Sequence, residues 1–418
     1  MAGSGTTESE PVVAPATEDV TLGLRSKLYL LAMFIDTVGS GLWTPVGLIF
    51  FINAQHVQAA QVGVAMTLGG LAGLVVGMLS GNLVDRWGPG RFVFVSNIVR
   101  AATFALYPFA FHAWQIALLA AVFSASDRMF WTANTPLLGR FVSGRRLERM
   151  LSTQNVVRVV GLGGGAALSG LFIGSAGGLH ALAYVNAGSY LIAALIVLAL
   201  GLAVAMPARS AAPNEATAGW RAVFADGPYV LFCGIQVLFA LCARSIVVIL
   251  PLVALNSLHG PRWLPGVSIT VAAGTLAVTQ RPLVSLAGRI SRLRGLIIAG
   301  GTFTAAFALL TAGPHVGRGV AVLVLGAAVI AVVGEALSGP LMTAAANEAA
   351  PNDLKGRYSA LFQTAWGLAT VASPAVFTAL LDRGNAALWA TLAGISAVTI
   401  PALIYVARRF PSSTLRAS

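Results

Sequence analysis

Three acidic side chains, Asp36, Asp127 and Glu335, interrupt long apolar runs, and five arginines, Arg100, Arg128, Arg158, Arg244 and Arg281, do the same. Charges in such surroundings are costly, so they pair with one another or serve a function. A carboxyl shielded from water can take up and release a proton as its surroundings change. A guanidinium offers a planar fork of donors to a carboxylate or phosphate. At helical spacing Asp36, Ser40 and Trp43 share one face. So do Asp127, Trp131 and Asn134, with Ser124, Arg128 and Thr132 beside them, and so do Gln236, Ala240 and Arg244. Trp43, Trp131 and Trp366 have the rings to stack on a flat or cationic ligand, or to serve as ordinary packing.

Other chemistries are excluded. Lysine occurs only at Lys27 and Lys355, and neither closes a G-x-x-x-x-G-K-[ST] run, so there is no P-loop. The five histidines, His56, His112, His180, His259 and His315, all flank apolar runs, which removes an H-E-x-x-H metal site and an intramembrane catalytic histidine. Cys233 and Cys242 would be separated by about 13 Å of helical rise, too far for a disulfide. Basic residues come in short clusters without interleaved aromatics, so no nucleic-acid surface is expected. No metal or cofactor is expected either, and transport is favoured over catalysis.

The elements that must hold these residues follow from composition. Of 418 residues, 57% are hydrophobic and 10% charged, and the net charge is +12. A soluble surface needs roughly 25% charged residues, so the chain reads as an all-α, polytopic membrane protein. Apolar runs of about 20 residues predict twelve transmembrane helices in two six-helix bundles. The first bundle is expected over 27–206 and the second over 229–407. They are joined by a cytoplasmic linker at 207–228, whose Trp220 and Phe224 suit an interfacial helix. The polar segment 1–26 has no basic, apolar signal-peptide pattern and is expected to be a disordered cytoplasmic tail, with a second tail at 408–418. With the N-terminus inside, eighteen basic residues fall on inner segments, three on outer loops and five within spans. The positive-inside bias therefore puts both termini in the cytoplasm. A faint internal repeat relates Pro136-Leu137-Leu138 to Pro340-Leu341-Met342.

Between the second and third spans the chain reads Gly81-Asn82-Leu83-Val84-Asp85-Arg86-Trp87-Gly88-Pro89-Gly90-Arg91, expected as a tight basic turn. It resembles the major facilitator superfamily signature G-x-L-x-D-R-x-G-x-x-R at every key position. The resemblance, over roughly 27–407, implies a central cavity that opens alternately to each side, lined by spans one, four, seven and ten. It implies that Gly81, Asp85, Arg86, Gly88 and Arg91 form a conformational switch, with Asp85 near a helix N-terminus of the other half. Arg128 is similar to the arginine of R-x-x-Q-G-x-G, although Trp131 and Thr132 replace its Gln and Gly. Gly161, Gly165 and Gly170 resemble the antiporter pattern G-x-x-x-G-P-x-x-G-G, with Ala166 for Pro and Ser169 for the penultimate Gly. Small residues so spaced also serve close helix packing. Gly334-Glu335 with Pro340, together with Asn97 and Arg100, looks like the twelve-span drug:proton antiporter branch.

The resemblance thus implies a functional monomer in the cell (inner) membrane that exports small hydrophobic or drug-like molecules in exchange for protons. Glu335 is the first proton-coupling candidate, then Asp36 and Asp127, the last because a neighbouring arginine would keep it ionised. Arg128, Arg244, Gln236, Trp43, Trp131 and Asn134 are the cavity candidates. The alternative is a carrier of anionic metabolites or sugars, which five arginines against three acids within the spans would favour. Arg100, Arg158 and Arg281 have a competing reading as structural ion pairs.

Overall fold

In hydrocarbon a backbone must satisfy its own polar groups, and long apolar runs do so by coiling. The computed structural model describes residues 23–138, 144–202, 220–287, 289–313, 317–351, 354–410 and 415, and no strand occurs among them. Among the described residues, twelve helices of 18 residues or more carry the fold. They are α1 (Leu24–Trp43), α2 (Ala59–Trp87), α3 (Pro89–Leu106), α4 (Ala113–Leu138), α5 (Gly144–Ser169) and α6 (Ala176–Ala199). After the linker come α7 (Gly227–Val248), α8 (Leu264–Ala287), α9 (Arg292–Thr311), α10 (Val320–Ala349), α11 (Lys355–Leu381) and α12 (Asn385–Ala407). Among the described residues, nine helices are apolar and long enough to cross a membrane, and α1 makes a tenth when joined to Gly47–Ala54. The arginine-rich start of α5 and the short apolar part of α8, Leu264–Gln280, keep those two below the same threshold.

Two local differences from the sequence reading have simple causes. The first span is not straight: it bends by 54° after Trp43, where Pro45 removes a backbone donor. The expected turn at 81–91 is mostly helix, because no proline precedes Gly88 in it. Gly81, Asp85 and Arg86 fall in the last turns of α2, and the chain reverses at Gly88, whose φ of 84° suits glycine. Pro89 then opens α3 with its preset φ. The side chains of 77–86 lie outside the described residues, and so do residues 203–219 of the linker. The linker's last part is a short helix, Trp220–Ala225, where Trp220 contacts Phe224. Asp226 then caps α7 by accepting from the Tyr229 amide at 3.1 Å.

Contacts divide the helices into two bundles. In the first, α1 packs on α5 and α6, α2 on α4, and α3 on α4 and α6. In the second, α7 packs on α10, α11 and α12, α9 on α10 and α12, and α8 on α10. The bundles meet along α2 with α11 and α5 with α8. Gly161 and Gly165 of the worn antiporter pattern lie against Thr37 and the Val38 carbonyl of α1, where a Cβ would collide. That contact gives them a packing role.

One end of the molecule is fastened across the bundles. Thr67 Oγ1 on α2 accepts from the Ala375 amide at 3.2 Å, and Thr270 Oγ1 on α8 donates to the Gly163 carbonyl at 2.7 Å. Beyond α1 and α7 the chain closes with matching π-helical turns, Phe50–Ala54 and Val253–Ser257. Asn53 and Asn256, 203 residues apart, exchange amide hydrogen bonds at 3.0 and 2.8 Å. His56 and His259, three residues further on in each copy, both take positive φ, 56° and 53°. This Asn-x-x-His pair is a clearer repeat than the one at Pro136 and Pro340. If alternating access parts this end, cysteines at 53 and 256 joined by a short thiol cross-linker should stop transport, and a cleavable linker should restore it on cutting. Full transport in the cross-linked protein would show that the contact need not open.

Candidate functional site

Two cavities border α7, one between the bundles and one within the second bundle. The one nearer the fastened end, about 340 Å³, is walled by Trp43, Met66, Tyr107, Phe123, Asp127, Arg128, Arg244 and Pro374. The other, about 530 Å³, is walled by Gln236, Phe239, Gln280, Glu335, Ser338, Asn347, Gln363 and Trp366. On α7, Ala243 lines the second and Arg244 the first.

The α1 and α4 face residues divide between the first cavity and the inside of the first bundle, except that Trp131, expected in the cavity, is 39% exposed and lines neither cavity. Trp43 lines the cavity, stacked on Tyr107 at 5.4 Å and edge-on to Phe104 at 5.0 Å. Asp36 does not reach it. Asp36 is 4% exposed, and its carboxylate faces Arg100 of α3 at 3.5 Å, with Ser40 Oγ donating to it at 3.3 Å. Asn134 is a correction of the same kind: it is buried inside the bundle, accepting from the Tyr29 hydroxyl at 2.5 Å. Helical periodicity tells which residues share a face, not what that face meets, and here α3 and α1 supply the partners.

Arg100 organises this interior. Its guanidinium donates to Asp127 at 3.1 Å and to Asn97 at 2.9 Å, and lies over the rings of Phe130 and Tyr190 at 4.6 and 4.3 Å. Asp127 connects inside and outside: it is held by Arg100 and also lines the first cavity. The expected count of five arginines against three acids therefore changes at the cavity. Arg100 lies within the bundle, Arg158 is exposed with its guanidinium 5.9 Å from the Trp131 ring, and the Arg281 side chain lies outside the described residues. Arg128 and Arg244 remain in the wall.

On the other side, Glu335 of α10 is half-buried and lines the second cavity with Gln236 and Trp366. Among the described residues no cation lies within salt-bridge distance of it. Two wall atoms lack hydrogen-bond partners among the described residues: Arg244 Nε, a donor, and Gln236 Oε1, an acceptor. Sequence reading missed Gln280, Gln363 and Asn347. The one visible signal was polarity inside apolar runs, with Gln363 one turn before Trp366 on α11. Gly88 is buried and Arg91 exposed near the α2–α3 turn.

The sequence matches the Major Facilitator Superfamily over residues 28–374 and again over 232–417, and the chain belongs to that family. It is a multi-pass membrane transporter and not an enzyme. An uncharacterized MFS-type transporter of Bacillus subtilis (strain 168), YfiS, is 27% identical over 145 residues, 35% of this chain. The match spans about a third of that relative's length, 34%. In fold the chain is similar to the nucleoside transporter NupG, with a TM-score of 0.76 at 15% identity over 92% of this chain and 99% of that one. It is also similar to a peptide transporter, POT, in complex with sulfate, with a TM-score of 0.67 at 15% identity over 92% and 94% of the two chains. A bacterial metal transporter gives a TM-score of 0.67 at 13% identity over 93% and 99%. These likenesses establish the shared fold.

Proposed function

We propose that the chain exports small, partly hydrophobic, drug-like molecules in exchange for protons, as a monomer in the cell membrane, with Glu335 as the proton-coupling residue. The observation that carries this reading is the contrast among the acids. Glu335 lines a cavity with no cation in salt-bridge contact among the described residues, whereas Asp36 and Asp127 are both engaged by Arg100. An acid already neutralised by an arginine gains less from a proton than one that faces the substrate space. Asp36 and Asp127 stand behind Glu335 as second and third candidates. Trp43, Phe123, Phe239 and Trp366 supply apolar walls suited to a partly hydrophobic cargo.

The test is transport by purified protein in liposomes, under an imposed pH gradient and with a chemically varied substrate panel. Accumulation that follows the proton gradient supports the reading; accumulation indifferent to it removes the proton.

Both termini are proposed to be cytoplasmic, on the charge distribution between loops. The Asn53 and Asn256 end would then be external, and the cavities would load from the cytoplasm. Single cysteines beside His180 or His315 should react with an impermeant thiol reagent added outside intact cells, and cysteines beside Arg146 or Arg292 should not. External labelling at 146 would reverse the orientation. Asp85 is proposed to stabilise one conformation of the cycle near a helix N-terminus, where an anion is favourable. Asp85→Asn should slow transport severalfold while insertion and substrate binding persist; an unchanged rate would dismiss the switch role.

A further inference from the structure

Among the described residues, the charges that line the two cavities are unevenly placed. The first cavity holds Arg128 and Arg244, and its one carboxylate, Asp127, is turned to Arg100. The second holds Glu335 and a wall of amides.

The lining of α7 carries this polarity: Arg244 lines the first cavity and Gln236 the second. Both side chains project from α7, eight residues and so about 12 Å apart along its axis. The first cavity, lined by two guanidinium groups, suits an anion. The second, lined by the Glu335 carboxylate and the Gln236 amide, suits a cation.

We propose that the transported molecule is an amphoteric amphipath. Its anionic group docks on Arg244 and Arg128, its ammonium or amine on Gln236 and Glu335, and an apolar middle lies along Phe239 and Trp43. This deepens the export reading and rests on it, because an ammonium at Glu335 and a proton there exclude each other, which is the logic of exchange.

The test uses full-length protein purified in detergent, with 6-aminohexanoate and 8-aminooctanoate as probes and hexanoate and hexylammonium as single-charge controls. Binding is followed by the rise in unfolding temperature with ligand concentration. The aminoalkanoates should half-saturate at concentrations about tenfold or more below the controls, as expected for one added charge-assisted hydrogen bond. Arg244→Gln and Gln236→Leu, each checked for parental unfolding temperature without ligand, should erase that preference. Equal binding of a single-charge control, or a preference that survives both substitutions, overturns the proposal. Proton release on binding of 8-aminooctanoate, read with a pH dye in weak buffer, separates the two readings. Amphoteric preference without proton release upholds this site and removes proton exchange. Proton exchange with a cargo of one charge, and no amphoteric preference, does the reverse.

Discussion

Glu335→Gln should abolish accumulation of substrate against its gradient under an imposed pH difference, while downhill exchange of a neutral substrate continues. Gln keeps the size and hydrogen-bonding reach of Glu but has no proton to exchange. The variant is therefore fixed in the neutral state that a protonated carboxyl would have. A half-buried acid among Gln236, Ser338 and Trp366 changes the charge of the cavity by one unit whenever it takes up or loses a proton. That unit is felt strongly where water is scarce. Coupling should therefore be lost almost completely, not by a small factor. Accumulation like the parent's would show that the proton binds elsewhere. If Asp36→Asn is then also normal, proton exchange itself is overturned and carriage of anions takes its place.

Much of the fold was legible because its cause is one-dimensional: a helix that spans hydrocarbon must be apolar for about 20 residues, and a sequence displays that directly. The same holds for Gly88-Pro89, where a reversal needs a positive φ followed by a preset one. The candidate site was legible only by helix face. That Trp43, Arg128, Arg244, Gln236 and Glu335 line the cavities could be expected once the likeness said which spans line the centre. That Asp36 and Asn134 turn inward could not, since their partners Arg100 and Tyr29 lie 64 and 105 residues away and no local pattern links them. The Asn53 and Asn256 contact was open to notice, because the same Asn-x-x-His follows both the first and seventh apolar runs. It escaped because a four-residue repeat carries little signal until its copies are seen to touch.

Arg100→Leu should be the most destabilising single substitution in the first bundle. The guanidinium is 4% exposed and is gripped by Asp36, Asp127 and Asn97 between two aromatic rings. Leucine fills part of the volume but leaves two carboxylates facing each other without their cation. Removing one partner of a buried ion pair costs about 3–5 kcal/mol, because the remaining charge keeps its burial without compensation. The purified variant should unfold at a clearly lower temperature than the parent, or fail to accumulate in the membrane. Replacing the pair as a whole is a different matter, since a neutral, well-packed substitute for a buried ion pair is often no less stable. Arg100→Leu combined with Asp36→Asn and Asp127→Asn should therefore recover most of the lost stability, although transport need not return. Parental stability in Arg100→Leu alone would mean that the acids do not depend on Arg100. Failure of the triple variant to recover would place its weight on the Phe130 and Tyr190 rings instead of on charge.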